Sequence, residues 1–73
     1  MMDKKNFKLK EGQPYITLNN LLQVVGIAQT GGHAKIIIQN EEVLVNGLVE
    51  TRIRNKLVIG DVINTNNIQI EIE

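Results

Sequence analysis

Two stretches of the chain have the i, i+3, i+4 spacing that places apolar side chains on one face of a helix. The first comprises Leu18, Leu21, Leu22 and Val25, and the second comprises Ala34, Ile37 and Ile38. Thr17 and Thr30 precede these stretches and are favourable N-cap residues. Gly26 and Asn40 follow them and are suitable terminators. The pattern therefore predicts two short helices in succession.

Elsewhere the apolar positions alternate with polar ones, as in strands with one buried face. Phe7 and Leu9 alternate with Lys8 and Lys10, which predicts a short strand after a frayed segment 1–6. Further strands are predicted at residues 62–65 and 68–72, after the apolar run 57–59, with turns at Gly60-Asp61 and Asn66-Asn67. Three or four strands, including those of a hairpin, are thus expected after the helices. We expect the two terminal strands to pair, with Lys8 and Lys10 facing the C-terminal glutamates.

A β-hairpin is predicted at the centre of the chain. Residues 43–45 and 48–51 favour strands, and they flank Asn46-Gly47. This dipeptide suits the positive φ angles of a two-residue type I′ turn. In this interpretation the main role of Asn46 is to form the turn. A role of its side chain as a hydrogen-bond donor to a ligand is secondary.

These elements make an α+β protein with two short helices packed on a small, mostly antiparallel β-sheet. With 73 residues the chain is one domain, 1–73, near the lower size limit for a single hydrophobic core. It has no Cys, no segment typical of a signal peptide and no long apolar run. We therefore expect a soluble cytoplasmic protein without a membrane partner.

The residue types available make catalysis an unfavoured function. The chain has no Cys, no Ser and a single histidine, His33, so the common nucleophile pairs cannot form. His33 has no second histidine or suitably spaced carboxylate for a metal, and no phosphate-binding glycine motif of the nucleotide-binding enzymes is present. We expect neither an enzyme nor a metal site nor a cofactor.

The start of the second predicted helix is a candidate anion-binding site. Thr30, Gly31 and Gly32 would present backbone N–H groups at the positive end of the helix dipole, without a β-carbon at the glycines. His33 and Lys35 follow in the first turn or so and would add donors beside the same anion. The alternative is that the glycines only form a permissive turn between the helices.

Three cations, Arg52, Arg54 and Lys56, recur at every second position after the hairpin, while Ile53 and Leu57 lie between or beside them. In an extended chain this spacing would place the cations on one face, about 6.6 Å apart. Such a row attracts polyanions even though the net charge of the protein is zero. The alternative is an edge strand protected from aggregation by its charges.

The aromatic content limits the kind of nucleic acid that the chain would recognise. Phe7 and Tyr15 are the only aromatic residues, so a platform that stacks several unpaired bases is not expected. Recognition of folded or double-stranded RNA through its backbone and shape needs cations and helix N-termini, which the sequence supplies.

The motifs also resemble a known family. The matching pieces are Leu18-x-x-Leu21-Leu22-x-x-x-Gly26, Thr30-x-x-x-Ala34-x-x-Ile37-Ile38, Val43-x-Val45-Asn46-Gly47 and Leu57-x-x-Gly60-Asp61-x-Ile63. In these pieces the chain resembles the RNA-binding domain named after ribosomal small-subunit protein S4, also called the alpha-L motif, with a motif core at 15–63. It is most similar to the small stand-alone YbcJ-like bacterial branch, through the runs Gly31-Gly32-His33-Ala34-Lys35 and Glu50-Thr51-Arg52-Ile53-Arg54-Asn55-Lys56.

The resemblance implies two helices on a small sheet and binding to structured RNA at the start of the second helix and the strands after it. Two positions depart from the family pattern. Gly31 stands where many members have an arginine, and Glu41 stands where a glycine usually precedes the hairpin. The resulting hypothesis is a noncatalytic protein that binds ribosomal, transfer or similar RNA, alone or within a ribonucleoprotein. The residues expected to bind are Thr30, Gly31, Gly32, His33, Lys35, Asn46, Arg52, Arg54 and Lys56. The alternative is an adaptor that presents the same basic face to an acidic protein, on the ribosome or elsewhere.

Overall fold

The computed structural model describes residues 3–73. Its two helices are α1, Leu18–Val24, and α2, Gly31–Gln39. Its strands, in chain order, are β1 Asp3–Phe7, β2 Ile16–Thr17, β3 Leu44–Val45, β4 Leu48–Val49, β5 Lys56–Leu57, β6 Val62–Thr65 and β7 Ile68–Ile72.

The strands form two sheets. The larger has the order β1-β7-β6-β3-β4, and only its β1–β7 pair is parallel. The smaller is the antiparallel pair of β2 and β5, which joins the entry to α1 with the segment after the central hairpin. The predicted α+β class, with two helices and a mostly antiparallel sheet, is confirmed. The chain has five strands after α2, where three or four were predicted.

One hydrophobic core joins both helices to the sheets. Its members with no exposed surface are Leu18, Leu21, Leu22, Ala34, Ile38, Val43, Leu57, Ile63, Ile70 and Ile72. The helical members are those that the i, i+3, i+4 pattern predicts, and the strand members alternate along β6 and β7. Burial of each large aliphatic side chain contributes about 1.5–3 kcal/mol, before the entropy cost of ordering the chain.

The predictions for the N-terminus were partly wrong. The first strand is Asp3–Phe7, so residues 3–6 are paired with β7 and not frayed, and Met1 and Met2 lie outside the described residues. The terminal strands do pair, as predicted, but in parallel. This register sets Asn6 opposite Glu71, and within residues 3–73 no ion pair joins Lys8 or Lys10 to a carboxylate. The reason is that strand pairing depends on nonlocal contacts that alternation alone does not specify.

The predicted tight turns are confirmed by the backbone angles. Asn46 and Gly47 have φ values of 52° and 86° between β3 and β4, as a type I′ turn requires. Asn66 and Asn67 have φ values of 52° and 60° between β6 and β7. Asparagine tolerates this left-handed region better than other residues with a β-carbon.

Helix α2 ends in a Schellman motif that has glutamate at the usual glycine position. The N–H of Glu41 donates to Ile38 O, and the N–H of Glu42 donates to Ile37 O. Glu41 has a φ of 61°, which explains why a glycine is usual before the hairpin. The glutamate therefore holds a backbone conformation that disfavours residues with a β-carbon.

We expect Glu41→Gly to raise the free energy of unfolding by about 1 kcal/mol. Left-handed backbone costs an ordinary residue about 1–2 kcal/mol, and the greater freedom of glycine in the unfolded chain offsets part of that gain. Glu42→Gly is the matched control, because it removes the same charge one residue later without relieving a positive φ. Urea denaturation of both variants tests the prediction, which is wrong if Glu41→Gly is no more stable than the wild type.

Candidate nucleic-acid interface

The basic segment, residues 52–56, is docked on the beginning of α1. The N–H of Leu18 donates to Asn55 O at 2.9 Å, and the N–H of Asn19 donates to Ile53 O at 3.1 Å. The Thr17 side chain makes no cap hydrogen bond, although Thr17 is the N-cap residue as predicted. Backbone carbonyls of the basic segment thus cap α1 in place of the threonine hydroxyl.

The three cations of the basic segment point to solvent, but the segment is not extended. Arg52, Arg54 and Lys56 are exposed, while Ile53 is half-buried against the core. The N–H of Asn55 donates to Arg52 O at 3.2 Å, which closes a turn at residues 53 and 54. The predicted alternation of exposure is therefore present, whereas the predicted extended row of charges was wrong. The turn gathers the cations around one shallow depression, lined by Arg52, Arg54, Asn55 and Lys56.

Arg52 is held by a carboxylate beside it. Its Nε donates to Glu50 Oε2 at 3.0 Å and its Nη2 donates to Glu50 Oε1 at 2.9 Å. Glu50 Oε2 also accepts from the Arg52 backbone N–H. The Arg52 side chain remains 76% exposed, and that of Glu50 is 14% exposed, so the outer edge of the guanidinium faces solvent.

This pair changes the ionisation of both groups. The hydrogen bond from the Arg52 side chain lowers the pKa of Glu50, against the opposing effect of burial. The same hydrogen bond raises the pKa of Arg52. The pair stabilises the charged form of each partner and neutralises part of the positive field of the basic segment.

The other two cations have different surroundings. The Nζ of Lys56 lies 4.9 Å from the centroid of the Tyr15 ring, within the range of a cation–π interaction. Arg54 makes no hydrogen bond or ion pair with any residue between 3 and 73. Tyr15 and Glu50 were not among the predicted site residues. An arginine two positions after a glutamate was the only sequence signal for the Glu50–Arg52 pair, and none pointed to Tyr15.

The start of α2 has the predicted cap. The N–H of His33 donates to Thr30 Oγ1 at 3.0 Å. The N–H groups of Gly31 and Gly32 have no hydrogen-bond partner in the described part of the chain. His33 and Lys35 are exposed on the same helix, and His33 Nδ1 accepts a 3.3 Å hydrogen bond from the Gln29 N–H. With Nδ1 as the acceptor, Nε2 is the ring nitrogen that can donate to a ligand.

Helix α1 contacts both groups of candidate residues. The basic segment bonds to its first two residues, while a β-carbon added to Gly31 would lie 4.0 Å from the Gln23 side chain near its other end. A seven-residue helix is about 10 Å long, so the two contacts lie about one helix length apart. The structure therefore brings the three cations of the basic segment together. The predicted residues at the start of α2 form a second group, which consists of Thr30, Gly31, Gly32, His33 and Lys35.

Asn46 has a structural role at the hairpin. Its Nδ2 donates to Asp61 Oδ1 at 3.1 Å, and its Oδ1 accepts from the Val62 N–H at 2.9 Å. Asp61 Oδ2 in turn accepts from the Val58 N–H. The side chain of Asn46 thus joins the β3–β4 turn to the turn before β6, and a contact with RNA remains a prediction.

The structure also bears on metal and membrane binding. Over residues 3–73, no group of three or more His, Asp or Glu side chains is arranged to hold a metal ion. Neither helix in this range is long and apolar enough to span a bilayer.

Comparison with known proteins identifies the family. The family model described as "S4 domain" matches residues 7–73, so the chain belongs to the S4 domain family. The structure is similar to the solution structure of YbcJ from Escherichia coli, with a TM-score of 0.69 and 34% sequence identity. That match covers 92% of this chain and 84% of the other, which is described as having an alpha-L motif involved in RNA binding.

Two relatives are similar in sequence. The chain is 41% identical over 51 residues to the Escherichia coli (strain K12) protein named "Putative RNA-binding protein YbcJ". These aligned residues cover 70% of this chain and 73% of YbcJ. The chain is 42% identical over 48 residues to the Bacillus subtilis (strain 168) protein named "Probable ribosome maturation protein RlbA", with coverages of 66% and 68%. The predicted family and its YbcJ-like branch are confirmed.

The Glu50–Arg52 pair predicts a pH-dependent contribution to stability. Because the pKa of Glu50 is lower in the folded protein, its contribution is complete above the ordinary carboxyl value of 4.5 and is lost as the pH falls through the folded value. Glu50→Gln should therefore destabilise the protein at pH 7, with a smaller difference from wild type at pH 3.

Urea denaturation at both pH values measures this difference. Glu11→Gln is the control, because Glu11 is exposed and has no hydrogen-bond or ion-pair partner in residues 3–73. An equal effect of Glu50→Gln at pH 7 and pH 3 would contradict the assigned role of the pair.

Proposed function

We propose that this protein is a noncatalytic RNA-binding protein that recognises structured RNA, of ribosomal, transfer or similar type, through its phosphates and sugars. The observation that carries the proposal is the exposed cation group of the basic segment, fixed on the beginning of α1 by backbone hydrogen bonds. The names of the relatives support it, since one is described as RNA-binding and another as a ribosome maturation protein.

The basic segment would supply most of the electrostatic attraction. Arg54 and Lys56 are exposed, and no carboxylate pairs with either in the described structure. Arg52 would present the guanidinium edge that Glu50 leaves free, in an orientation set before the RNA arrives. A side chain that is already ordered loses less conformational entropy on binding.

The start of α2 would hold a second phosphate. The free N–H groups of Gly31 and Gly32 are suited to a phosphate oxygen, since neither residue has a β-carbon to block its approach. Thr30 orders this turn, while His33 and Lys35 add donors next to it. An RNA that contacts both groups would lie along α1, and a folded RNA offers phosphates at suitable separations.

Salt dependence tests whether phosphate contacts provide the affinity. If about four cations neutralise phosphates, the logarithm of the binding constant should fall with the logarithm of salt concentration with a slope of about −3 to −4. Fluorescence anisotropy with a labelled ribosomal RNA hairpin at several salt concentrations measures the slope. A slope near zero would contradict the proposal.

Single-charge variants test which cations make the contacts. We expect Arg54→Ala and Lys56→Ala each to reduce the magnitude of the salt slope by about 1 and to weaken binding to all hairpins alike. Lys4→Ala is the matched control, because it removes one exposed positive charge from β1, outside both candidate groups. Equal losses of RNA affinity in all three variants would contradict this expectation, because they would mean that positive charge attracts the RNA without a defined interface.

Crosslinking in cells distinguishes RNA binding from the adaptor function. The proposal predicts that ultraviolet crosslinking recovers RNA fragments on the wild-type protein and fewer on Arg54→Ala. Recovery of protein partners without RNA would favour an adaptor that uses the same cations on an acidic protein.

A further inference from the structure

A cleft of about 200 Å³ lies beside the start of α2 and shares only His33 with the candidate RNA-binding residues. It is lined by Ile27, His33, Ile37, Glu42, Thr65 and Asn66. These residues come from the loop between the helices, from α2, from the loop after α2 and from the end of β6 with its turn. Sites for drug-sized ligands have volumes of about 300–1,000 Å³, so this cleft is suited to a single ring system.

The Thr65 hydroxyl lies in the wall of this cleft and has no hydrogen-bond partner among residues 3–73. Thr65 as a whole is only 6% exposed. The fully buried side-chain polar atoms without a partner in residues 3–73 are Asn19 Oδ1 and Asn64 Oδ1, so the Thr65 hydroxyl reaches the surface of the cleft and is open to solvent. A ligand that enters the cleft would replace solvent as the hydrogen-bond partner of this hydroxyl.

The remaining lining groups define the chemistry of that ligand. Ile27 and Ile37 provide apolar walls, which favour a flat hydrophobic face. The ring of His33 can donate from Nε2, because its Nδ1 accepts from the Gln29 N–H. The carboxylate of Glu42 only accepts hydrogen bonds when it is ionised, so it requires N–H donors on the ligand.

The position of the cleft connects it with a bound nucleic acid. His33 lines the cleft and directly follows Gly31 and Gly32, whose N–H groups are free. A nucleotide whose phosphate is bound by those N–H groups would have its base near the cleft. Unpaired RNA bases are commonly recognised through hydrogen bonds to their Watson–Crick edges.

We propose that the cleft binds one unpaired guanine base of the RNA, an inference that rests on the proposed RNA binding. Guanine has two neighbouring N–H donors on its Watson–Crick edge, which match the two oxygens of the Glu42 carboxylate. Adenine and cytosine each present one amino group next to an acceptor, and uracil presents one N–H between two carbonyls. Glu42 therefore determines the base preference, while Thr65 and His33 serve the other polar atoms of the ring.

Selection from a pool of hairpins with randomised loops tests this inference. The wild type should enrich guanine at one loop position, by about tenfold over the other bases, as one good bidentate contact allows. Glu42→Gln should abolish the enrichment, because an amide cannot accept with both of its atoms. Glu41→Gln, which removes the neighbouring carboxylate outside the cleft, should retain it.

Four results would overturn the inference. Hairpins bound without enrichment of guanine, or enrichment that persists in Glu42→Gln, would leave the proposed function standing and remove only the guanine site. A shift in melting temperature caused by guanosine monophosphate, without a guanine preference in the loops, would assign the cleft to free nucleotides. If no hairpin is retained at low salt, the proposed RNA binding itself fails and the guanine site fails with it.

Thr65→Val separates binding from a structural role. Valine keeps the shape of threonine and removes a hydroxyl that bonds to no residue from 3 to 73, so the melting temperature should not fall. The guanine preference should fall in the same variant. A lower melting temperature would mean that the hydroxyl serves the fold, and an unchanged preference would exclude Thr65 from the site.

Discussion

The beginning of α1 is capped by carbonyl oxygens from a segment more than thirty residues later in the chain. Two N–H groups that a helix cannot satisfy internally, those of Leu18 and Asn19, donate to Asn55 O and Ile53 O. Loss of these bonds would leave N–H groups unpaired next to the core, where Leu18 has no exposed surface. The cap therefore joins the helical part of the protein to the segment that carries the cations.

This connection determines the orientation of the candidate interface. Because Ile53 packs against the core and Leu57 is buried in it, the side chains on the other side of the basic segment point outward. The Glu50 carboxylate then fixes Arg52, and the Tyr15 ring lies beside Lys56. A chain with no net charge thus presents a local positive surface, whose field extends about 8 Å at physiological salt.

The sequence predicted well the features that depend on neighbouring residues. The helices, the Thr30 cap of α2, the Asn46-Gly47 turn and the Asn66-Asn67 turn follow from local propensity and spacing. The position and direction of the first strand do not follow from local pattern, because its partner β7 is about sixty residues away in sequence and alternation specifies no partner.

The candidate site was predictable to a similar extent. Charge spacing identified the cations, and the pattern Thr-Gly-Gly identified the helix start. The turn in the basic segment was missed, because its formation depends on docking against α1. The cleft was missed because its lining comes from four separate parts of the chain, and Thr65 reads in sequence as an ordinary strand residue.

Amide chemical-shift mapping tests the central claim most directly, that the first turn of α2 and the basic segment bind one RNA together. Titration of the ¹⁵N-labelled protein with a ribosomal RNA hairpin should shift the amides of Gly31, Gly32 and residues 52–56 with one common dissociation constant. Amides of β1 should remain unchanged. Shifts confined to one of the two groups, or concentrated on β1, would contradict the account.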